Sequence, residues 1–146
     1  MDENLPAEIT KLKNRAKTVR SAQLLLLAFA FKPILIHILT NLNAGISVTD
    51  ISFRFLDCVE TVVPVILAIL WFIFKSWRWG YISAIIIVIT FVLAVNNDES
   101  ILSTTPILGC YIFVVCMCLS GAQAGRLIAR IRANFPELYD LYKEHK

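Results

Sequence analysis

Four ionisable side chains interrupt two long apolar stretches, and they are the residues of this chain best suited to chemistry. Lys32 and His37 lie in the first stretch, and Asp57 and Glu60 lie in the second. If the stretches cross a membrane, a lysine near the centre costs about 2.5–3.5 kcal/mol on insertion scales, so such residues pair with one another or line an ion or proton path. Histidine is also the side chain that ordinarily titrates near neutral pH. The four residues therefore predict either a structural ion pair or a pathway.

The depth of each residue along its stretch decides which of them can pair. At ~1.5 Å per helical residue, Lys32 lies roughly 16 Å and Glu60 roughly 21 Å from the inner end of its stretch, while His37 and Asp57 both lie at roughly 24–25 Å. Asp57 and Glu60 share a helical face because they are three residues apart. We expect a structural pair between Lys32 and Glu60, with transport as the alternative, and a hydrogen-bonded structural role for His37. In a further structural reading, Lys32 snorkels and both carboxylates belong to the wet outer interface.

The apolar stretches have the length of membrane spans. The chain has 146 residues, of which 58% are hydrophobic, against about 45–50% in soluble domains. A membrane helix needs about 17–25 residues, and the candidate spans are 22–42, 57–74, 79–95 and 101–121. We predict a single-domain (1–146), all-α integral membrane protein in which four transmembrane helices form a bundle. A cleaved signal peptide is the alternative for the first stretch, but Lys32 interrupts it and no small-residue cleavage site follows.

Basic residues outside these spans gather on one side of the predicted topology. They lie in segment 1–21, in the loop between the second and third spans, and in segment 122–146, whereas the opposite side has only Arg54. The positive-inside rule then places both termini in the cytoplasm. The lack of an Asn-x-Ser/Thr sequon favours a bacterial inner (cytoplasmic) membrane. A eukaryotic protein acylated at Cys116 or Cys118 stays open.

The two terminal segments are predicted to be amphipathic helices. Apolar residues recur at spacings of three and four in segment 1–21 and again beyond residue 126, and Pro136 is placed to open a last short helix. These helices are expected either to lie on the anionic inner leaflet or to pack together as a cytoplasmic cap, and binding of a partner is the third reading. The basic residues of the C-terminal segment that would meet lipid or a partner are Arg126, Arg130 and Arg132.

Small residues mark two places where helices can approach closely. The third span contains Gly80 and Ala84, and the fourth ends in a GxxxG pattern whose small residues are Ser120, Gly121, Ala124 and Gly125. Such patterns bring membrane helices into close contact. We expect them to pack the third span against the fourth, with homo-oligomerisation as the alternative. Pro33 and Pro64 lie inside spans, where proline tends to kink a helix.

The aromatic residues and the cysteines lie within or beside the predicted spans. Trp71, Trp77, Trp79 and Tyr81 flank the second loop, which is typical of a membrane-interface belt. Three of the four cysteines lie in the fourth span, and we expect the cysteines to be small buried hydrophobes.

No motif of an enzyme, a cofactor site or a metal site occurs in the sequence, and the basic residues flank apolar spans instead of forming a nucleic-acid surface. We therefore expect no catalysis, cofactor, metal or nucleic acid. The favoured function is that of an interaction or accessory protein that binds or silences another membrane component. The alternative is a small oligomeric ion channel or proton-coupled transporter that uses Lys32, His37, Asp57 and Glu60, and an enzyme acting on lipid comes third.

Overall fold

The computed structural model describes residues 5–45, 55–97 and 105–144, and every regular element in these residues is an α-helix. The helices are α1 (Leu5–Phe29), α2 (Lys32–Asn43), α3 (Phe55–Phe74), α4 (Arg78–Asn97), α5 (Thr105–Asn134) and α6 (Pro136–Glu144). The all-α prediction is confirmed for this part of the chain.

Two helices are long and apolar enough to cross a membrane. They are Arg78–Asn96 within α4 and Ile107–Asn134 within α5. Helices α1 and α2 meet the same criterion only together, as a pair bent by 43°, and α3 is apolar but shorter from Cys58 to Phe74. The described part of the chain thus contains two membrane-spanning candidates, or three if the bent pair is one span, which indicates association with a membrane.

The first predicted span is interrupted in the structure. Helix α1 joins the basic N-terminal segment to the apolar stretch without a break and ends at Phe29, and α2 begins at Lys32. Pro33 explains the break, because proline has no N–H to donate to the carbonyl of Phe29 and its ring crowds the preceding turn. The chain instead closes a tighter turn, in which the amide of Phe31 donates to the carbonyl of Ala28 at 3.1 Å. Pro64, by contrast, lies within α3, which stays one helix.

Helices α1, α3, α4 and α5 surround one apolar core. Helix α1 packs against α3 and α5, and α4 packs against the same two helices, whereas α2 contacts α3. The core is centred on large side chains from three of the helices and on a cysteine of α5, namely Leu26, Trp71, Ile87 and Cys118. Each of these four helices therefore buries one face in the core and leaves apolar residues on its outer face.

The first and last described helices pack together. Helix α6 folds back from α5 and contacts the N-terminal half of α1, and Tyr142 is buried there. The structure therefore brings the terminal segments into contact, and it joins the N-terminal one to the first apolar stretch as a single helix.

The cysteines differ from the prediction. Cys118 is buried in the core, but Cys58, Cys110 and Cys116 are exposed on the outer faces of their helices, so the expectation of burial was wrong for these three. An apolar side chain needs no protein neighbour when lipid can cover it, which is why hydrophobic character alone does not predict the inward face of a membrane helix.

Candidate functional site

Lys32, Glu60 and Tyr111 form a closed polar cluster that joins three helices. The Nζ atom of Lys32 lies 2.5 Å from Oε2 of Glu60 and donates a hydrogen bond of 2.7 Å to the hydroxyl of Tyr111. That hydroxyl in turn donates to Oε1 of Glu60 at 2.7 Å. The three groups therefore bond one another pairwise and tie α2, α3 and α5 together.

The break between α1 and α2 helps to position the cation. Lys32 is the first residue of α2, directly after the turn imposed by Pro33. Glu60 lies in the second turn of α3, and Tyr111 lies in the second turn of α5. Each member thus lies close to the start of its helix.

Aromatic rings enclose this cluster. The ring of Tyr111 meets that of Phe29 edge-on at 5.1 Å between centroids and that of Phe91 at 4.9 Å. The Nζ atom of Lys32 lies 5.3 Å from the centroid of the Phe29 ring, within the range of a cation–π contact. Glu60 is only 5% exposed. In such apolar surroundings an ion pair is tolerated when its remaining hydrogen-bonding atoms are satisfied, and Tyr111 supplies that partner.

Polar groups elsewhere in the described core bond to their own helix. The hydroxyl of Ser83 donates to the carbonyl of Trp79 at 2.7 Å, and that of Thr90 donates to the carbonyl of Ile86 at 2.9 Å. Throughout the described residues, every buried side-chain nitrogen or oxygen has a hydrogen-bond partner. The described interior therefore has its polar groups engaged with protein atoms, and the cluster is suited to holding helices in register.

The second pair of candidate residues is only partly described. His37 lies half-buried on α2. Asp57 belongs to the first turn of α3, but its side chain lies outside the described residues. Whether these two residues meet at a common depth stays a prediction.

Tyr111 was missed in the sequence because a single tyrosine in an apolar span is an unremarkable residue. The available signal was its hydroxyl, since a tyrosine buried in a span must bond to something. Its partner could not be inferred without knowing that α5 lies against α1 and α4 and that its tyrosine reaches α3.

The small residues lie at close helix contacts, with Trp71 between them. A Cβ atom added at Gly80 would lie 2.8 Å from Cβ of Ala122 in α5 and 2.9 Å from the indole of Trp71. One added at Gly121 would lie 2.7 Å from Cβ of Ala22 in α1. Gly80 thus faces α5, as predicted, but Gly121 faces α1 instead of α4. Ala84 and Ala124 are buried as well, whereas Ser120 is exposed.

Trp71 therefore belongs to the core and not to an interfacial belt. It is 1% exposed, and its indole lies beside the backbones of Gly80 and Gly121. The other aromatic residues of the predicted belt are partly exposed, and the rings of Trp77 and Tyr81 contact one another at 5.8 Å between centroids. The glycines leave room for the indole, which explains why this tryptophan is inside.

The three C-terminal arginines lie on the exposed surface of α5. The guanidinium of Arg126 is 5.7 Å from the ring of Trp77, and that of Arg132 is 5.6 Å from the ring of Tyr139. Arg130 is exposed without a ring contact of this kind among the described residues.

No group of His, Cys, Asp and Glu side chains in the described ranges could hold a metal ion. No protein-family model matches the chain, and searches of curated proteins and of solved structures find no match either. The polar cluster and the surfaces around it are therefore the basis for assigning a function.

Proposed function

We propose that this protein is a non-enzymatic interaction protein of the membrane, which binds another membrane protein through the outer face of α2. The proposal rests on the position of α2. The axis of this helix is bent by 43° from that of α1, and the helix packs against α3. The Lys32–Glu60–Tyr111 cluster anchors its first turn. The helix is therefore held firmly at one end while its outer face stays uncovered by the described residues.

The exposed residues of α2 form a pattern suited to helix pairing. Leu35, Leu39 and Leu42 are all more than half exposed, and their spacing of four and three places them in one stripe along the helix. Leucines at this spacing can interdigitate with the side chains of a facing helix. The partner that fits is an apolar membrane helix, whose binding would silence or support the protein to which it belongs.

The topology that places this face in the bilayer is also proposed. We infer four spans, with α1 and α2 forming a bent first span and α3 the second, and with both termini in the cytoplasm of a bacterial cell. The packing of α6 on α1 supports a common side for the two termini, and the concentration of basic residues at that end supports the cytoplasmic assignment.

Transport is the second candidate, and the buried charges of Lys32 and Glu60 are the observation that favours it. Each of these charges is neutralised by the other and bonded to Tyr111. A transported ion or proton would have to break that cluster, so a role in fixing α2 is favoured over a role in conduction.

Photo-crosslinking in native membranes tests the interaction. A benzophenone amino acid replaces Leu39, which is 52% exposed on α2, and in a matched control it replaces Ile85, which is 60% exposed on α4. We expect a discrete protein adduct from position 39 and none from position 85, because only the α2 stripe contacts the partner. The adduct should also be lost when Leu35→Ala and Leu42→Ala are added. Lipid adducts alone at both positions would refute the proposed surface.

A further inference from the structure

We propose that the protein has a binding site for one anionic phospholipid in the groove between α1 and α3, with the headgroup held by basic residues of α1. This site lies away from the outer face of α2, and it would exist whether or not that face binds a partner.

The groove is apolar and open to the side. Its volume is about 550 Å³, within the roughly 300–1,000 Å³ typical of ligand sites. Leu24 and Leu27 of α1 form one wall, and Ile69 and Phe72 of α3 form the other. Arg20 lies at the polar end. An apolar groove with a cation in its lining fits an acyl chain attached to an anionic headgroup.

A second, basic pocket adjoins this groove and shares Arg20 with it. It has a volume of about 210 Å³ and is lined by Lys13, Lys17 and Arg20 of α1 together with Tyr142 of α6. No carboxylate of the described residues forms an ion pair with these three cations. Their charge is thus available to a phosphodiester, and basic pockets beside membrane helices are known binding sites for anionic headgroups.

The two pockets lie along one stripe of α1. Lys13, Lys17, Arg20, Leu24 and Leu27 follow one another at spacings of four and three, so they share one face of the helix. The stripe changes from basic to apolar between residues 20 and 24, within a helix that continues unbroken to Phe29. A phospholipid has the same order of charge and hydrocarbon along its length. The stripe therefore selects a phospholipid over a free anion and an anionic lipid over a neutral one.

Native mass spectrometry of the purified full chain tests the site. The protein is mixed with phosphatidylglycerol and phosphatidylcholine of identical chains, and we expect one phosphatidylglycerol to be retained with at least tenfold preference. The variant Lys13→Gln/Lys17→Gln/Arg20→Gln should lose at least tenfold of that binding. The control Arg126→Gln/Arg130→Gln/Arg132→Gln removes the same charge from α5 and should retain it.

A further variant and a competing ligand distinguish a specific lipid-binding site from nonspecific electrostatic attraction. Ile69→Trp fills the groove from an exposed position, so the protein should fold normally and yet lose the lipid. Millimolar inorganic phosphate should not displace it. The proposal is overturned if the two lipids bind equally or if the α5 variant loses as much binding as the α1 variant. It is also overturned if Ile69→Trp leaves lipid binding intact or if phosphate displaces the lipid. If the α1 variant fails to fold, the proposal is tested by the preference of the unmodified protein for phosphatidylglycerol and by lipid binding to Ile69→Trp.

Discussion

At the scale of single residues, the structure pairs Lys32 directly with Glu60 and bonds both of them to Tyr111. An ion pair away from water loses hydration, and the loss is offset only when geometry and additional hydrogen bonds are good. Here the hydroxyl of Tyr111 accepts from Lys32 and donates to Glu60, both at 2.7 Å. The cluster thus satisfies both charges with one neutral side chain.

The first prediction concerns the stability of this cluster. Lys32→Met leaves the Glu60 carboxylate without its counter-charge, and we expect the free energy of unfolding to fall by about 3–5 kcal/mol, with Glu60→Gln costing a similar amount. Tyr111→Phe removes two hydrogen bonds but no charge and should cost about 1 kcal/mol. Unfolding of the purified protein by sodium dodecyl sulfate in mixed micelles, followed by circular dichroism, measures these differences.

The double variant Lys32→Met/Glu60→Gln is the control for this prediction. Because it removes both charges, it should lose less stability than the sum of the single variants. The same variants can be reconstituted into liposomes for ion and proton flux. Unchanged stability together with flux that disappears in Glu60→Gln would contradict the structural role and establish the pathway instead.

At the scale of the helices, close packing depends on glycines beside Trp71. The Cβ atom of an alanine at Gly121 would approach Cβ of Ala22 to 2.7 Å, and one at Gly80 would approach Cβ of Ala122 to 2.8 Å. An alanine Cβ cannot rotate away, so whole helices would have to separate. The close approach of α1, α4 and α5 therefore depends on the lack of a Cβ atom at Gly80 and Gly121.

The second prediction follows from these distances. Gly121→Ala and Gly80→Ala should each lower the free energy of unfolding by about 1–3 kcal/mol through overpacking. Gly109→Ala is the matched control, because a Cβ there has no neighbour within 4 Å. The same detergent titration measures all three variants. Adding Ala22→Gly to Gly121→Ala should restore part of the loss, and equal losses at Gly109 and Gly121 would show that the close contact is not responsible.

At the scale of the whole molecule, the first and last described helices meet. Helix α6 packs on α1, so the sidedness of one terminus determines that of the other. This contact and the distribution of basic residues support the proposed topology of four spans with both termini in the cytoplasm.

Labelling of single cysteines tests this topology. The four native cysteines are replaced by alanine, and Asn96→Cys or Asn134→Cys is introduced at an exposed position near the end of α4 or α5. A membrane-impermeant maleimide should label position 96 in intact cells and position 134 only after permeabilisation. The opposite pattern would invert the topology, and labelling of both positions in intact cells would exclude four spans.

Local composition was enough to predict an all-helical chain with apolar helices, of which two or three are long enough to cross a membrane, and to mark Pro33 as a position where a helix is disturbed. Helical rise also placed Lys32 and Glu60 at compatible depths, and the structure brings them within 2.5 Å of each other. These properties depend on the length, periodicity and charge of single segments. They can therefore be derived from the sequence before any neighbour is known.

Only the tertiary structure decided which faces meet. Tyr111 completes the ion pair, Trp71 lies in the core instead of at an interface, and Gly121 faces Ala22. In a membrane protein both the inward and outward faces of a helix are apolar, so hydrophobicity does not identify the buried one. The buried face is identified instead by the order of the helices around the core. That order depends on contacts between residues far apart in the chain.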